Sequence, residues 1–309
     1  MVVVAVAGGS GDVGRTIIEE LKRATRFKIV LLTTQKDLQL HGDISSIFVN
    51  YNDVASITRQ LEEHAVHTII STISMSSDES SRSQVNLIRA AETSTSTKRF
   101  IPSEYAYINT PELLELDPTT QWWLDAVECL KKTNLQYTRF ATGFFMDYWG
   151  MPYIKTNLAP FTFGIDVLNY QASIPGDGNC LLSLTYSVDL ARFVVKTLDL
   201  DEWPEYSIGV GEDISFNSML KLAEEIRGKR FQVSYDSVEK LRAGQITMLS
   251  IPKDAPYSAQ EVMEYNALFG QLAIREVFHV PTGNRLNEKM SDLKPLTFEK
   301  FLKSAWEGR

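Results

Sequence analysis

The chain opens on an unbroken apolar run, Val2-Val3-Val4-Ala5-Val6-Ala7, then a glycine cluster, then apolar residues at helical spacing: Val13, Ile17, Ile18 and Leu21. A short continuous apolar run predicts a strand buried on both faces, and the helically spaced set predicts one face of a helix. The alternation repeats. Strands are expected at residues 28–32, 47–49, 68–70 (running on toward 74), 99–101 and 136–140, with Pro102 stopping the fifth. Asp53 reads as the cap of a helix carrying Val54, Ile57 and Leu61. A serine-rich loop from Ser76 to Ser83 leads into a helix with Val85, Ile88 and Ala91, and residues 121–132 stack Trp123, Val127 and Leu130 on one side. Strands alternating with helices imply a parallel sheet covered on both faces, with any ligand at the carboxyl ends of the strands.

Beyond residue 150 the pattern changes. Aromatics and glycines become frequent, as in Phe161-Thr162-Phe163-Gly164, and Pro175-Gly176-Asp177-Gly178-Asn179 has the chemistry of a turn. Helices return at residues 188–198, 215–227 and 259–272. The fold class expected is α/β: a doubly wound parallel sheet over residues 1–150, and a smaller α+β lobe over residues 151–309, partly interleaved with it.

Composition narrows the function classes. With 309 residues, 44% hydrophobic and 23% charged, the chain has the balance of a globular protein. Its formal net charge of -8 argues against nucleic acid as a partner, because phosphate binding needs a basic face. The apolar runs are too short to span a membrane, and the first of them is needed as a strand, so neither a membrane segment nor a signal peptide is expected; the cytoplasm is the default compartment. Two isolated cysteines, Cys129 and Cys180, and four histidines without ligand spacing predict no metal site and no disulfide framework.

Gly8, Gly11 and Gly14 stand between the first strand and the first helix, where a dinucleotide-binding turn belongs. In such a turn the first glycine permits the sharp bend. The second lets backbone approach a pyrophosphate, and the third lets helix and strand pack closely. At the end of the second strand the chain reads Leu32-Thr33-Thr34-Gln35-Lys36. No carboxylate stands there to bind a bare ribose, and Asp37 comes late. Hydroxyls, an amide and an ammonium suit a 2′-phosphate, so NADP(H) is the expected cofactor.

Three further segments join the glycine motif: Lys98-Arg99-Phe100-Ile101-Pro102-Ser103-Glu104-Tyr105, Tyr137 to Phe145, and Ser173 to Gly178 followed by Ser187 to Phe193. Together they resemble the NmrA-like proteins, fungal members especially, and through them isoflavone reductase and phenylcoumaran benzylic ether reductase, an atypical branch of the short-chain dehydrogenase/reductases. The resemblance covers nearly the whole chain. It implies a Rossmann domain binding NADP(H) and a lobe closing over a small aromatic or heterocyclic substrate. Matched by motif, Gly8, Ser10, Gly11, Asp12 and Val13 would hold the pyrophosphate, and Thr33, Thr34 and Lys36 the 2′-phosphate. Ser71, Thr72 and Ile73 would line the adenine and ribose side, while Pro102, Ser103, Glu104 and Phe145 would approach the nicotinamide. One departure stands out. The family's lysine before the sixth strand is missing, since that region reads Gln121-Trp122-Trp123-Leu124-Asp125, and Tyr105 is followed by Asn109 where ordinary short-chain dehydrogenases carry lysine.

Hydride transfer asks the protein chiefly for placement, whereas protonation of the product asks for a donor within reach. Glu104 is the first candidate, with Tyr105, Asp147 and Tyr148 behind it. The aromatic set Trp122, Trp123, Phe144, Phe145, Tyr148, Trp149 and Tyr153 offers walls for a planar or cationic substrate. The leading expectation is an NADP(H)-dependent reductase of a small hydrophobic, secondary-metabolite-type molecule. A non-redox cyclase or isomerase on the same scaffold, and an NADP-sensing regulator that binds a protein partner without turnover, are the alternatives.

Overall fold

The computed structural model of the protein describes residues 1–35 and 44–309. The first elements follow the predicted alternation: β1 (Val2–Ala7), α1 (Asp12–Ala24), β2 (Phe27–Thr33), β3 (Ser45–Phe48), α2 (Val54–Glu63), β4 (Thr68–Ser71), α3 (Asp78–Thr93), β5 (Arg99–Ile101), α4 (Gln121–Lys131) and β6 (Gln136–Tyr137). The strands form one parallel sheet in the order β3-β2-β1-β4-β5-β6. Both faces are covered, which is why β1 has no polar alternation. Val3, Ala5 and Ala7 join a buried cluster with Ile57 and Leu61 of α2, Leu87 and Ile88 of α3, and Leu130 of α4. Val4 and Val6 are equally buried, as are Ile17, Ile18 and Leu21 of α1. The order of connection reverses between β1 and β4, and in doubly wound sheets that reversal opens a crevice at the strand ends. This is the Rossmann arrangement.

Helix starts obey their sequence signals. The Asp53 carboxylate accepts from the Ser56 N–H at 2.9 Å, and Ser77 and Ser80 cap α3 reciprocally. Two strands differ from expectation. β4 stops at Ser71 instead of running toward 74, because its neighbour β1 ends at Ala7, the partner of Ser71; the amide and hydroxyl of Thr72 both donate to the Ala7 carbonyl, at 2.8 and 2.7 Å. The expected strand at 136–140 divides after β6. The Thr138 hydroxyl meets that of Ser207 at 2.8 Å, and the Arg139 amide donates to the Glu205 carbonyl, so β7 (Arg139–Ala141) pairs away from the main sheet.

The remaining elements are β8 (Phe144–Phe145), α5 (Asp147–Gly150), β9 (Ile165–Asp166), β10 (Gln171–Pro175), β11 (Leu181–Thr185), α6 (Ser187–Thr197), β12 (Tyr206–Ile208) and β13 (Glu212–Ser215). They are followed by α7 (Phe216–Arg227), β14 (Gln232–Asp236), α8 (Val238–Arg242), α9 (Ala259–Ile274), α10 (Leu286–Lys289) and α11 (Phe298–Trp306). β7 pairs with β12, β11 with both β8 and β13, and β10 with both β9 and β14.

Two compact units result. The first comprises Met1–Tyr105, Asn109–Ala141 and Ala191–Ser207; the second comprises Ala106–Ile108, Thr142–Leu190 and Ile208–Arg309. The single boundary expected at residue 150 is therefore replaced by several crossings. Long-range polar contacts explain them. Arg99 donates to the carbonyls of Leu198 and Asp201 and lies 4.9 Å from the Trp203 ring, which binds segment 191–207 to the first unit. The amides of Thr142 and Gly143 donate to the Ala106 carbonyl, which binds 106–108 to the second. The second unit's interior is aromatic. Phe144 has Phe163, Phe269 and Phe278 around it with ring centroids 5.1 to 5.6 Å away. Its predicted turn is present, with Gly176 and Gly178 at φ +62° and +75°. Among the described residues, no helix is long and apolar enough to cross a membrane, and no His, Cys, Asp and Glu cluster able to hold a metal is found.

Candidate functional site

The turn after β1 is built by its glycines. Gly8 has φ +75°, and a Cβ there would lie 2.5 Å from the Thr72 carbonyl oxygen, so only glycine fits. The Gly11 amide closes the bend on the Gly8 carbonyl at 2.9 Å. A Cβ on Gly14 would meet the Gly8 oxygen and Thr72 Oγ1, each at 2.6 Å, so this glycine sets the close approach of α1 to the strand ends. At Gly11 the same test finds one neighbour, the Gly8 oxygen at 3.3 Å, so that side of the turn is open. Gly11 begins α1 without a side-chain cap, and Ser10 is anchored by Arg15, whose Nε donates to its carbonyl at 2.7 Å. N–H groups of a first helical turn lack carbonyl partners within the helix, and such a start attracts anions.

Beside the turn runs a groove of about 390 Å³, wholly within the first unit. It brings together Gly8, Ser10, Thr33, Thr34 and Ile73 from the expected set. Gly11, Asp12 and Val13 sit at the start of α1 just beyond it. Thr72 is tied to Ala7, and Ser71 is fully buried, with a hydroxyl that has no hydrogen-bond partner. Lys36 lies outside the described residues. Sequence reasoning missed the far wall: Tyr51, Ser74, Ser76, Ser77 and Ser80, together with Glu79, the one charged side chain among the described lining residues. The serine run carried the signal but was read only as a loop. Tyr51 gave none, and burial now raises its phenol well above the usual range.

The Pro-Ser-Glu-Tyr segment after β5 is fixed on every side. Pro102, itself buried, accepts the Glu104 amide. Ser103 receives three restraints: its amide donates to Gln84 Oε1 at 2.7 Å, its hydroxyl to the Ile73 carbonyl at 2.8 Å, and its carbonyl accepts Trp123 Nε1 at 3.0 Å. Gln84 is completely buried on the apolar side of α3, and a polar residue at that helical position was the unread signal.

Glu104 is buried in an ion pair. Arg139 Nε and Nη2 donate to its two oxygens at 2.6 and 2.7 Å, and the Asn109 amide and side chain add bonds at 3.2 and 2.9 Å. The same guanidinium donates to the Tyr206 hydroxyl at 2.5 Å. All four bonds are donated to the carboxylate, so both oxygens of Glu104 are engaged as acceptors within the first unit. Tyr105 is equally occupied: its hydroxyl donates to the Ser71 carbonyl at 2.7 Å, and burial raises its phenol. Where the resemblance expects lysine, α4 presents two indoles, Trp122 donating to Asp78 at 2.7 Å and Trp123 to Ser103.

The other expected residues belong to the second unit. Phe145 is half-buried on β8, where it pairs with Thr185 of β11. Asp147 is fully buried and accepts from Thr156 Oγ1 at 2.6 Å and from the amide and hydroxyl of Ser187, at 2.9 and 2.6 Å. Burial raises its carboxyl above the usual range despite these bonds, and it opens α5 while binding Ser187, the first residue of α6. Tyr148 is half-buried and lines a pocket of about 420 Å³ with Trp149 and Phe161. Asp147, one residue earlier, is not part of that lining.

Comparisons with known proteins agree with this architecture. The model of the NmrA-like family matches residues 2–302. Oxidoreductase BOA1 of Botryotinia fuckeliana (strain B05.10) is 36% identical over 233 residues, covering 75% of this chain and 78% of that protein. Oxidoreductase swnN of Metarhizium robertsii (strain ARSEF 23 / ATCC MYA-3075) is 30% identical over 336 residues, covering 99% and 98%. Among solved structures, the binary complex of leucoanthocyanidin reductase and NADPH from Vitis vinifera superposes with a TM-score of 0.73 at 18% identity, covering 97% of this chain and 98% of that one. At that identity the likeness concerns the fold.

Proposed function

The chain belongs to the NmrA-like family, and from that premise we propose that it is an NADP(H)-dependent oxidoreductase reducing a small hydrophobic, aromatic substrate. The observation that carries the reading is the glycine turn at the point where strand order reverses, open over Gly11 and continuous with a groove at the end of β2. Relatives named oxidoreductases, and a fold neighbour solved with NADPH, support it.

The residues present fit the nucleotide. The first turn of α1, from Asp12 and Val13, would face the pyrophosphate, and Gly11 offers no Cβ to obstruct it. Thr33, Thr34 and Lys36 would surround the 2′-phosphate, while Ser71, Thr72 and Ile73 bound the adenosine side. Pro102 and Ser103, immobilised by Gln84 and Trp123, would give the nicotinamide end a rigid wall. When bound, the nucleotide supplies the hydride. The chain's part is to place the acceptor, exclude water and deliver a proton. With Glu104 and Tyr105 held in structural bonds, and Asp147 engaged by Thr156 and Ser187, Tyr148 is the remaining candidate for that last role.

Two measurements test this. Calorimetric titration should show NADPH binding about tenfold or more tighter than NADH, because only the former brings a phosphate to Thr33, Thr34 and Lys36. Small aromatic enones, ketones and imines should then oxidise NADPH, followed by loss of its near-ultraviolet absorbance. Product formed without NADPH consumption would replace the redox step by a cyclisation or isomerisation. Protein that binds neither nucleotide would end the proposal. With a turnover assay in hand, Tyr148→Phe should lower kcat about tenfold or more while leaving the Kd for NADPH unchanged; an unaltered kcat would remove Tyr148 from proton transfer.

A further inference from the structure

The pocket lined by Tyr148 in the second unit contains a charge that the aromatic-substrate reading does not use. Asp166, at the end of β9, is 6% exposed and lines the pocket with Tyr148, Trp149 and Phe161. Its two oxygens accept only from Asn169, the backbone amide at 3.0 Å and the side-chain amide at 2.8 Å. No lysine, arginine or histidine among the described residues forms an ion pair with it. A buried carboxylate without a counter-ion is costly to fold. The bond to the Asn169 amide explains an acceptor at this position but not a charge, since asparagine or serine would serve as well. The other charged lining residues, Lys253 and Asp254, are both exposed and offset one another, so the pocket is net negative in a chain of formal net charge -8.

We propose that this pocket binds an organic cation, a protonated amine or related nitrogen carried on an apolar body, with Asp166 as its counter-ion and Tyr148, Trp149 and Phe161 as its walls. Aromatic faces attract cations, and a desolvated carboxylate gives the ammonium a charge-assisted hydrogen bond that a neutral ligand cannot make. The remaining apolar lining, which includes Pro152, Ile154 and Leu158, accommodates the ligand's hydrocarbon part. The inference rests on reading this pocket as the place of the small substrate, and it narrows that substrate to nitrogen-bearing molecules.

The test uses 2-phenylethylamine, cationic at neutral pH, and 2-phenylethanol, which has the same skeleton and no charge. Each is titrated calorimetrically into the full-length protein without nucleotide. The amine should bind about tenfold or more tighter. Asp166→Asn, which keeps an oxygen for the Asn169 amide, should bring the two affinities within about twofold while leaving the alcohol's affinity in place. Asp254→Asn should preserve the preference, which separates the buried charge from the general negative field. Equal affinities in the wild-type protein, a preference that survives Asp166→Asn, or no binding of the amine would each overturn the proposal. Because no nucleotide is present, failure here leaves NADPH binding standing, and failure of NADPH to bind leaves this result standing.

Discussion

Replacing Glu104 with glutamine should lower the unfolding free energy by about 3 to 5 kcal/mol, the usual cost of removing one partner from a buried ion pair. Arg139 is 3% exposed and would keep its charge with half its anchoring gone. Its bonds to Tyr206 and to the Asn109 carbonyl are to neutral partners, and the exposed carboxylate of Glu205, 3.9 Å from Nη1, offsets the charge only weakly. The converse change, Arg139→Met, leaves Glu104 buried with Asn109 as its remaining donor and should cost a similar amount. Combining the two should cost clearly less than their sum, because the double variant buries no orphaned charge. Urea denaturation of the four proteins measures all three quantities. The result also bears on catalysis. If Glu104→Gln keeps wild-type stability to within about 1 kcal/mol and instead loses turnover, the carboxylate belongs to the reaction and not to the frame.

Gly8→Ala should raise the Kd for NADPH about a hundredfold. Alanine at φ +75° carries about 1 to 2 kcal/mol of backbone strain. Its Cβ, 2.5 Å from the Thr72 carbonyl oxygen, adds an overpacking cost of about 1 to 3 kcal/mol unless the turn opens. About 3 kcal/mol in total corresponds to roughly two orders of magnitude in affinity when opening displaces the start of α1. Titration with NADPH measures it, and circular dichroism confirms that the sheet is retained. Affinity within about threefold of wild type would mean that the nucleotide does not lie across this turn.

Both predictions concern features of different legibility. The glycines could be read directly, because each answers a local demand: a positive φ, a close approach or an open face. The parallel sheet was equally legible, since strands buried on both faces must be apolar throughout and their connecting helices must carry one apolar stripe. The indoles of α4 could be seen standing where lysine was expected, though not that their N–H groups hold Asp78 and the Ser103 carbonyl. The role of Glu104 was not legible. Its partner Arg139 is 35 residues away, within what reads as a single strand over residues 136–140, and it stands on β7, which pairs with β12 outside the main sheet. The solitary arginine among Tyr137, Thr138 and Phe140 was the clue.

Sequence by itself therefore determined the order of elements, the sheet and the glycine turn, since these follow from periodicity and from steric rules acting over a few residues. Tertiary structure alone decided which partners the polar side chains find and which of them line a pocket. Glu104, Tyr105 and Asp147 find partners distant in sequence, Tyr148 and Asp166 line a pocket, and segments 106–108 and 191–207 change unit. Hydrogen bonds and ion pairs between distant residues have no period along the chain, so only the folded backbone specifies them.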